Sequence, residues 1–196
     1  MPPTRSTVGA ILLAAGFSRR FGSIKLNARL PDGRTILQSS FQNISQAFDE
    51  VIVVGRHDLH EAGTYDFLPG NSLTCRLIFC DDAELGMGHS LACGARAIPG
   101  HWRGCFIFLA DMPFVRPDTL LTLQQHMGDD RLVVPRSRQQ RGHPTGFGRQ
   151  YFPALLQCHG DTGARHLLRD TEALTLVDVD DAGIVSDIDT PDDLPR

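Results

Sequence analysis

The chain has 196 residues, of which 41% are hydrophobic and 21% charged, and its formal net charge is −4. A chain of this length can bury a full hydrophobic core, so we expect residues 1–196 to form one domain, with residues 1–7 flexible. The negative charge argues against a general nucleic-acid binder, since such proteins are usually basic. No stretch approaches the ~18 apolar residues of a membrane helix. We therefore expect neither nucleic acid nor membrane as a partner.

The cysteines and the first residues favour a protein of the cytoplasm. The cysteine count of 5 is odd, and no Cys-x-x-Cys pair occurs. This pattern suits buried thiols in a reducing compartment better than a disulfide framework or a zinc site. Residues 1–7 contain two prolines and no apolar signal-peptide core. We expect a cytoplasmic protein without a secretory signal.

Predicted strands and helices alternate along the chain. Apolar, often β-branched runs predict strands at residues 8–14, 51–54, 76–80, 105–110, 132–134 and 174–179. Helical spacing predicts a helix at 35–48 with Thr35 as its N-cap, a helix that follows Ser90 to about residue 98, and helices at 117–127, 150–157 and 162–169. The glycine-rich segment 141–148 predicts a hairpin or an active-site loop. Together these elements predict an α/β fold with a mainly parallel sheet and helices on both faces.

Residues 11–25, which read ILLAAGFSRRFGSIK, have the composition of a phosphate-binding loop. The apolar run ends in small residues, which indicates a buried strand that opens into a loop at the edge of the sheet where α/β proteins bind ligands. Small residues allow backbone N–H groups to approach phosphate oxygens. Arg20 and Lys25 add positive charge, and Lys25 is the one lysine of the chain. The segment therefore predicts a nucleoside triphosphate loop.

The spacing of this loop excludes two common phosphate-binding motifs. Gly16 and Gly22 enclose five residues, and Gly22 is followed by Ser23, which does not fit a P-loop. The dinucleotide pattern Gly-x-Gly-x-x-Gly is also absent, because Phe17 and Ser18 follow Gly16. The competing interpretation is an ordinary strand–loop–helix connection with solvated arginines.

Carboxylates follow later strands and supply candidates for a metal site. Asp111 comes directly after the predicted strand 105–110, at the same sheet edge as the loop, where Mg²⁺ would accept a carboxylate together with water and phosphate oxygens. The alternative is that Asp111 caps the turn into Pro113. In the tail, Asp187 and Asp189 fall on one side of an extended segment and are further metal candidates. Asp192 and Asp193 fit the cap of a short terminal helix better.

A second basic region precedes the Gly142-His-Pro144 segment. The usual explanation of its arginines is a solvated basic loop, but opposite an anionic second substrate they could bind phosphate bidentately. The segment from Gly160 to Arg165 resembles a loop that leads into a helix N-terminus, which favours anions, and Asp161 there fits a cap. His143 has no adjacent carboxylate that would orient it as a general base. The arginines of the basic region are Arg136, Arg138 and Arg141.

Assembled, these residues resemble the MobA-like nucleotidyltransferases, and in particular their molybdenum cofactor cytidylyltransferase branch (the MocA type). The resemblance extends from about residue 8 to residue 194. Its most specific part is Leu13-Ala-Ala-Gly-x-Ser-x-Arg-x-Gly-x-x-Lys25. Five further motifs follow in family order, namely Gly86-Met-x-x-Ser90, Leu109-Ala-Asp-Met-Pro113, Gly142-His-Pro144, Gly160-Asp-x-Gly-Ala-Arg165 and Asp187-Ile-Asp-Thr-Pro-x-Asp193.

The resemblance implies a three-layer, Rossmann-like nucleotidyltransferase fold with a mixed, mainly parallel sheet. It implies transfer of CMP from CTP to molybdopterin cofactor, with pyrophosphate as the second product and Mg²⁺ as the cofactor. Ala15 favours the cytidylyl branch, since the guanylyl branch typically has Gly there, and Ser90 would face the base. The catalytic residues that follow are Arg20, Lys25 and Asp111, the nucleotide-binding residues are Leu13, Ala14, Ala15, Gly16, Arg20, Lys25, Gly86 and Ser90, and the metal candidates are Asp111, Asp187 and Asp189.

Several other functions stay open at this stage. The chain could be a guanylyl- or other NTP transferase on the same fold. It could be related to NAD(P)-dependent oxidoreductases, although the missing Gly-x-Gly-x-x-Gly argues against that class. It could also be a non-catalytic protein that delivers the cofactor to a molybdenum hydroxylase. A molybdenum hydroxylase apoenzyme is accordingly one expected partner, besides CTP and molybdopterin cofactor as substrates.

Overall fold

The computed structural model describes residues 7–18, 20–70, 72, 74–169 and 171–195. Residues 1–6, which make up most of the segment expected to be flexible, and Arg19 lie outside the described residues. Within the described part, the strands form one eight-stranded sheet. The strands are β1 (Thr7–Leu13), β2 (Val51–Gly55), β3 (Cys75–Phe79), β4 (Trp102–Leu109), β5 (Leu132–Ser137), β6 (Gln140–Arg141), β7 (Thr145–Gly148) and β8 (Leu174–Asp178).

The sheet is mixed, with the strand order β3-β2-β1-β4-β7-β5-β6 and with β8 on β5. The first four strands are parallel to one another, and β8 is parallel to β5. Strand β7 is antiparallel to both of its neighbours, β4 and β5. The predicted α/β class with a mainly parallel, mixed sheet is confirmed.

Helices cover both faces of the sheet and give the predicted three layers. They are α1 (Ile36–Ser45), α2 (His57–Glu61), α3 (Met87–Arg96), α4 (Pro117–Gln125) and α5 (Phe152–Leu155). Helix α1 begins as predicted at Thr35, whose Oγ1 accepts from the Gln38 amide at 3.1 Å, while Gln38 Oε1 accepts from the Thr35 amide at 2.8 Å. No helix in the described residues has the length and apolar character needed to cross a membrane.

The hydrophobic core lies on both sides of the sheet because the strand side chains alternate. Ile11 and Leu12 are adjacent in β1 and both fully buried, yet they belong to opposite clusters. Leu12 packs in the layer that contains Leu37 of α1 and Leu120 of α4. Ile11 packs in the layer of α3 and α5. The central strands are therefore buried on both faces, as their unbroken apolar sequences indicate.

Four predicted segments differ in the structure, and the first is α3, which begins at Met87 and not after Ser90. Residues 150–157 form a 3₁₀ turn (Arg149–Tyr151) followed by the short α5, and residues 162–169 contain only a 3₁₀ helix, Arg165–Leu168. The prediction for residues 162–169 was wrong because Gly163, inside that segment, has a φ of 52°, outside the right-handed helical region. Segment 141–148 is mostly strand, since β7 inserts between β4 and β5.

The register of the central strands brings three loops to one edge of the sheet. Leu13, the last residue of β1, pairs with Val54 on one side and with Leu109 on the other. The chain segments that follow β1, β2 and β4 therefore start side by side. This is the carboxyl edge of the parallel part of the sheet, where ligands bind in open α/β folds.

Candidate active site

A cavity of about 480 Å³ opens at this edge, above the ends of β1 and β4. It brings together residues of the loop after β1, the start of α3, Asp111 and the tail. Of the residues assigned to the nucleotide and the metal, the lining contains Leu13, Ala15, Gly16, Arg20, Lys25, Gly86, Ser90, Asp111 and Asp189.

Lys25 lies at the centre of the charged wall of this first cavity. Its Nζ is 2.7 Å from Asp111 Oδ2 and 3.3 Å from Asp189 Oδ1, and the lysine side chain is only 10% exposed. A lysine that is removed from water is costly unless carboxylates pair with it, and here two do. The structure therefore brings the motif lysine together with one carboxylate from the middle of the chain and one from the tail.

Arg20 extends the charged cluster towards solvent. Its guanidinium is 2.7 Å from Asp189 Oδ2, and its side chain is 72% exposed. An ion pair at that exposure contributes little to stability. The ion pair between Arg20 and Asp189 is thus weak. The Arg20 guanidinium, which lines the first cavity, can therefore bind a phosphate oxygen in place of the Asp189 carboxylate.

The loop after β1 closes on itself through Ser18. Ser18 Oγ accepts from the Lys25 amide at 3.3 Å, and the Ser18 carbonyl accepts from Phe21 at 2.9 Å. Ser18 has a φ of 51°, a left-handed conformation that is uncommon for a residue with a side chain, and such strain concentrates at functional sites. Gly22, with φ of 75°, completes the turn.

Asp111 has the properties of a cation ligand. Its Oδ2 is held by Lys25, while its Oδ1 is buried without a hydrogen-bond partner among the described residues. A buried carboxylate oxygen without a partner is unfavourable, and a metal ion would satisfy it. No group of three or more His, Cys, Asp or Glu side chains in the described part of the chain could hold a metal by itself. A bound Mg²⁺ would therefore take the rest of its shell from substrate phosphates and water, as it does in many phosphate sites.

The charge of the cavity wall also favours a bound cation. Among the described lining residues, Arg20 and Lys25 are the cations, and they face the carboxylates of Glu84, Asp111, Asp161 and Asp189. The wall thus carries more negative than positive charge. A triphosphate would add further negative charge, and a divalent cation would offset it.

The two tail carboxylates are directed to different places. Asp189 joins Lys25 and Arg20, whereas Asp187 lines a second cavity. The intervening Ile188 is fully buried, and its amide donates to the Asp111 carbonyl at 2.9 Å. Asp193 caps the following 3₁₀ turn by accepting from the amides of Thr190 and Asp189, in line with the structural role predicted for it.

The second cavity has a volume of about 530 Å³ and adjoins the first. The two share Leu13, Met87 and Leu109 in their walls. Arg141 and Arg165 line the second cavity and make it a candidate site for an anionic group. Of the other two arginines in the predicted basic region, Arg136 pairs with Asp178 at 2.7 and 2.8 Å, and Arg138 lies in the tight turn between β5 and β6 with φ of 47°.

His143 contributes a neutral imidazole to the wall of the second cavity. Burial lowers its pKa, and the nearby Arg165 guanidinium lowers it further, so the ring is uncharged at neutral pH. Its Nδ1 is buried and lacks a hydrogen-bond partner among the described residues. The His143 amide donates to the Ile184 carbonyl at 2.8 Å, which fixes the segment between β6 and β7.

Gly86 and Ser90 reach the first cavity from the start of α3. Gly86 has φ of 118°, and a Cβ there would lie 2.5 Å from the Gly160 backbone, so only glycine fits. The Gly88 amide donates to the Gly160 carbonyl at 2.7 Å and fastens α3 to this turn. Ser90 is 95% buried and lies one turn further along the helix, where it lines the cavity floor.

Ala14 stands apart from the other assigned loop residues, and the reason is a pair of side chains that the sequence did not single out. Ala14 is buried behind the loop, with its carbonyl bound by the Tyr65 hydroxyl at 2.8 Å. Arg56, directly after β2, donates to the carbonyls of Ala15 and Gly16. The signal available in the sequence was that Arg56 comes directly after Gly55 at the end of a fully apolar strand, and the structure places that strand beside β1.

This combination of a mixed sheet, a small-residue loop after β1 and a carboxylate after β4 is that of a nucleotidyltransferase. The fold is shared with a nucleotidyl transferase from Methanothermobacter thermautotroptrophicus, with a TM-score of 0.79, coverage of 95% of this chain and 94% of that chain, and 22% identity. Residues 10–176 match the model of the MobA-like NTP transferase domain. The chain belongs to the MobA-like NTP transferase family.

Curated relatives are similar over nearly the whole chain. The purine catabolism protein PucB of Bacillus subtilis (strain 168) is 33% identical over 190 residues, which cover 93% of this chain and 92% of the relative. The molybdenum cofactor cytidylyltransferase of Escherichia coli (strain K12) is 27% identical over 191 residues, which cover 96% and 94%. The expected family is confirmed.

Proposed function

We propose that the protein transfers CMP from CTP to molybdopterin cofactor, giving molybdopterin cytosine dinucleotide and pyrophosphate. The observation that carries this proposal is Lys25, held between Asp111 and Asp189 at the wall of one cavity that adjoins a second, arginine-lined cavity. Two adjoining sites suit a reaction with two phosphorylated substrates. The similarity to the Escherichia coli cytidylyltransferase supports the choice of these two substrates.

The first cavity would hold the nucleotide. Ala15 and Gly16 of the loop would face the phosphates beside Leu13, with Arg20 and Lys25 at the β- and γ-phosphates, whereas Ala14 lies behind the loop. Gly86 and Ser90, at the start of α3, would contact the nucleoside. Ala15 in the loop favours cytidine over guanosine, since the guanylyl branch of the family typically has Gly at this position.

The second cavity would hold the acceptor. Arg141 and Arg165 would bind its terminal phosphate, since a guanidinium matches phosphate geometry bidentately. Leu13, Met87 and Leu109 form the shared wall, so an acceptor phosphate there would lie close to the α-phosphate of the nucleotide. The neutral His143 can accept or donate a hydrogen bond without adding charge.

The chemistry asks these residues chiefly to position the substrates and to balance charge. An oxygen of the acceptor's terminal phosphate attacks the α-phosphorus of CTP in line, a new P–O bond forms, and the bond to the leaving pyrophosphate breaks. Arg20 and Lys25 stabilise the charge that develops on the pyrophosphate. Mg²⁺, for which Asp111 and Asp189 are the best-placed ligands, would neutralise phosphate charge when it is bound.

We further propose that the protein acts in the cytoplasm and passes its product to a molybdenum hydroxylase apoenzyme. All five cysteines, which fall within the described residues, are free thiols, as suits a reducing compartment. Burial raises the pKa of the Cys93 thiol to about 11 and also raises that of Cys105. Such thiols are unreactive and fit a structural role.

The experiment that tests the proposal is a pyrophosphate-release assay with molybdopterin cofactor and Mg²⁺, run separately with CTP, GTP, ATP and UTP. We expect release with CTP. Release with GTP alone would assign the chain to the guanylyl branch. Cofactor binding without any pyrophosphate release would indicate a delivery protein, and hydride transfer from a nicotinamide cofactor an oxidoreductase.

A further inference from the structure

Two side chains outside the first cavity hold the carbonyl groups of the loop after β1. Tyr65 Oη donates to the Ala14 carbonyl at 2.8 Å, and Arg56 Nη1 donates to the carbonyls of Ala15 and Gly16 at 3.2 and 3.0 Å. The Arg56 amide in turn donates to Tyr65 Oη at 3.2 Å. We call Arg56 and Tyr65 the loop brace. The brace therefore donates hydrogen bonds to three consecutive carbonyls of the loop.

The brace determines where the loop's N–H groups point. In the described residues the only cis peptide bond precedes Pro144, so the peptide bonds of residues 14–17 are trans. In a planar trans peptide the N–H is directed opposite to the C=O. Since the carbonyls of Ala14, Ala15 and Gly16 face the brace, the N–H groups of Ala15, Gly16 and Phe17 are turned away from it. These three residues line the first cavity, and neither brace residue does.

The brace itself is rigid. Arg56 donates to both carboxylate oxygens of Asp58, at 2.9 and 2.7 Å, and its guanidinium carbon lies 3.7 Å from the ring centroid of Phe17. Tyr65 is 2% exposed, and a Cβ on Gly55 would lie 2.7 Å from its ring. Burial raises the pKa of Tyr65 to about 12, so its hydroxyl stays protonated and can donate.

We propose that Arg56 and Tyr65 are positioning residues of the triphosphate site, which fix the loop so that its N–H groups face phosphate oxygens before the nucleotide binds. The proposal rests on the proposed function only in taking a nucleoside triphosphate as the ligand of the first cavity. Donors that are already oriented need no reorganisation when the phosphates arrive. Without the brace, the loop peptides can rotate and present carbonyl oxygens, which repel phosphate.

The test compares Arg56→Gln, Arg56→Lys and Tyr65→Phe with a matched control, Arg34→Gln. Arg34 pairs with Asp32 as Arg56 pairs with Asp58, across two residues and with Nε at 2.9 Å, but the Arg34 side chain otherwise donates to Gln42 and not to the carbonyls of the loop after β1. The probe is inorganic tripolyphosphate with Mg²⁺, titrated calorimetrically, followed by CTP and CMP. Near-ultraviolet circular dichroism checks that each variant is folded.

We expect Arg56→Gln to weaken tripolyphosphate binding by about 10²-fold, the usual effect of misplaced positioning groups. Tyr65→Phe should weaken it by roughly tenfold, as for one hydrogen bond. Arg56→Lys should fall between wild type and Arg56→Gln, because lysine keeps the charge but not the fork of donors. The CTP-to-CMP affinity ratio should drop in the brace variants, whereas a general loss of structure would weaken both nucleotides alike. Arg34→Gln should bind as wild type does.

A folded Arg56→Gln protein with wild-type tripolyphosphate affinity would overturn the inference. If Arg56→Gln does not fold, unchanged affinity in Tyr65→Phe would overturn it instead. Wild-type protein that binds neither tripolyphosphate nor any nucleoside triphosphate would overturn both the inference and the proposed function. If tripolyphosphate binding is weakened in the brace variants while the wild-type protein releases no pyrophosphate from CTP, the inference about the brace is supported and the proposed function fails.

Discussion

Lys25 shows how one buried side chain links distant parts of the chain. Its partners are 86 and 164 residues away in sequence, and each contributes one carboxylate oxygen. Without the lysine, the two carboxylates would repel each other. Without either carboxylate, the buried ammonium group would lose part of the negative charge that compensates it. Under the proposed function, the same three groups that compensate one another in the structure would also balance the charge of the nucleotide.

For Lys25→Ala we predict that pyrophosphate release falls by about 10²–10³-fold, because a preorganised cation at the leaving group is lost. The fold should persist, since the side chains of Asp111 and Asp189 are partly exposed, at 23% and 31%. Arg34→Ala, which removes an exposed cation that does not line the first cavity, is the control. Turnover of Lys25→Ala at the wild-type rate would refute the role assigned to the lysine.

For Asp111→Asn we predict that the Mg²⁺ concentration at half-maximal activity rises at least about tenfold, because the amide keeps the shape but not the charge of the ligand. Asp189→Asn should shift the Mg²⁺ titration in the same direction. Asp187→Asn is the matched comparison, since Asp187 lines the second cavity. A shift in Asp187→Asn alone would reverse our choice between the two tail carboxylates.

At the scale of elements, the sequence predicted the strands better than the short helices. Strands β1, β2 and β4 are apolar on both faces, and this pattern is visible without knowledge of their neighbours. Strand β7 is only Thr-Gly-Phe-Gly, and its identity depends on pairing with β4 and β5. Gly146 belongs there because a Cβ would lie 2.6 Å from Phe106, a contact that no local pattern reveals.

The same limit explains which site residues could be found from sequence. Lys25 and Asp111 were accessible because their motifs fall directly after β1 and β4. Arg56 was missed because its role depends on hydrogen bonds to residues about forty positions earlier, at separations of 40 and 41. The second cavity was foreseen only as a basic region, and the pairing of Arg136 with Asp178 could not be read from the sequence.

Helix α1 has an N-cap that the sequence predicted correctly, and the contribution of this cap to stability can be tested. For Thr35→Ala we predict a loss of about 1 kcal/mol in the free energy of unfolding, because the capping box with Gln38 is broken. In a chain of this size that corresponds to a decrease in Tm of roughly 2–4 °C. Thermal unfolding followed by circular dichroism measures it, with Ser45→Ala at the other end of the helix as the comparison. An unchanged Tm would mean that the cap contributes nothing here.

At the scale of the whole molecule, the two cavities come from two parts of the sheet. The first opens over the parallel strands β1 and β4, and the second over β5 and the segment before β7. Their shared wall is apolar, so each cavity has its own set of charged residues. A substitution among the charged residues of one cavity therefore leaves the charged lining of the other unchanged.

This division gives a prediction for the acceptor side. Arg165→Gln should raise the KM for the acceptor by about tenfold and leave the KM for CTP unchanged, because a charged hydrogen bond is lost in the second cavity only. Arg136→Gln is the control, since that arginine pairs with Asp178. Initial-rate kinetics with each substrate varied in turn would measure both constants. An equal rise in both KM values would contradict the separation of the two sites.

The position of Asp189 also affects the order in which the site is assembled. Strands β1 to β4 and the loop with Lys25 are synthesised early, yet the second carboxylate partner of Lys25 lies 164 residues later. During translation, the half-made site would hold its lysine with Asp111 alone. The protein thus completes its charge balance only when the tail docks beside Asp111 through Ile188. If Asp189 has the role that we propose, a nascent chain with β1 to β4 already folded would be inactive until the segment that contains Asp189 has docked.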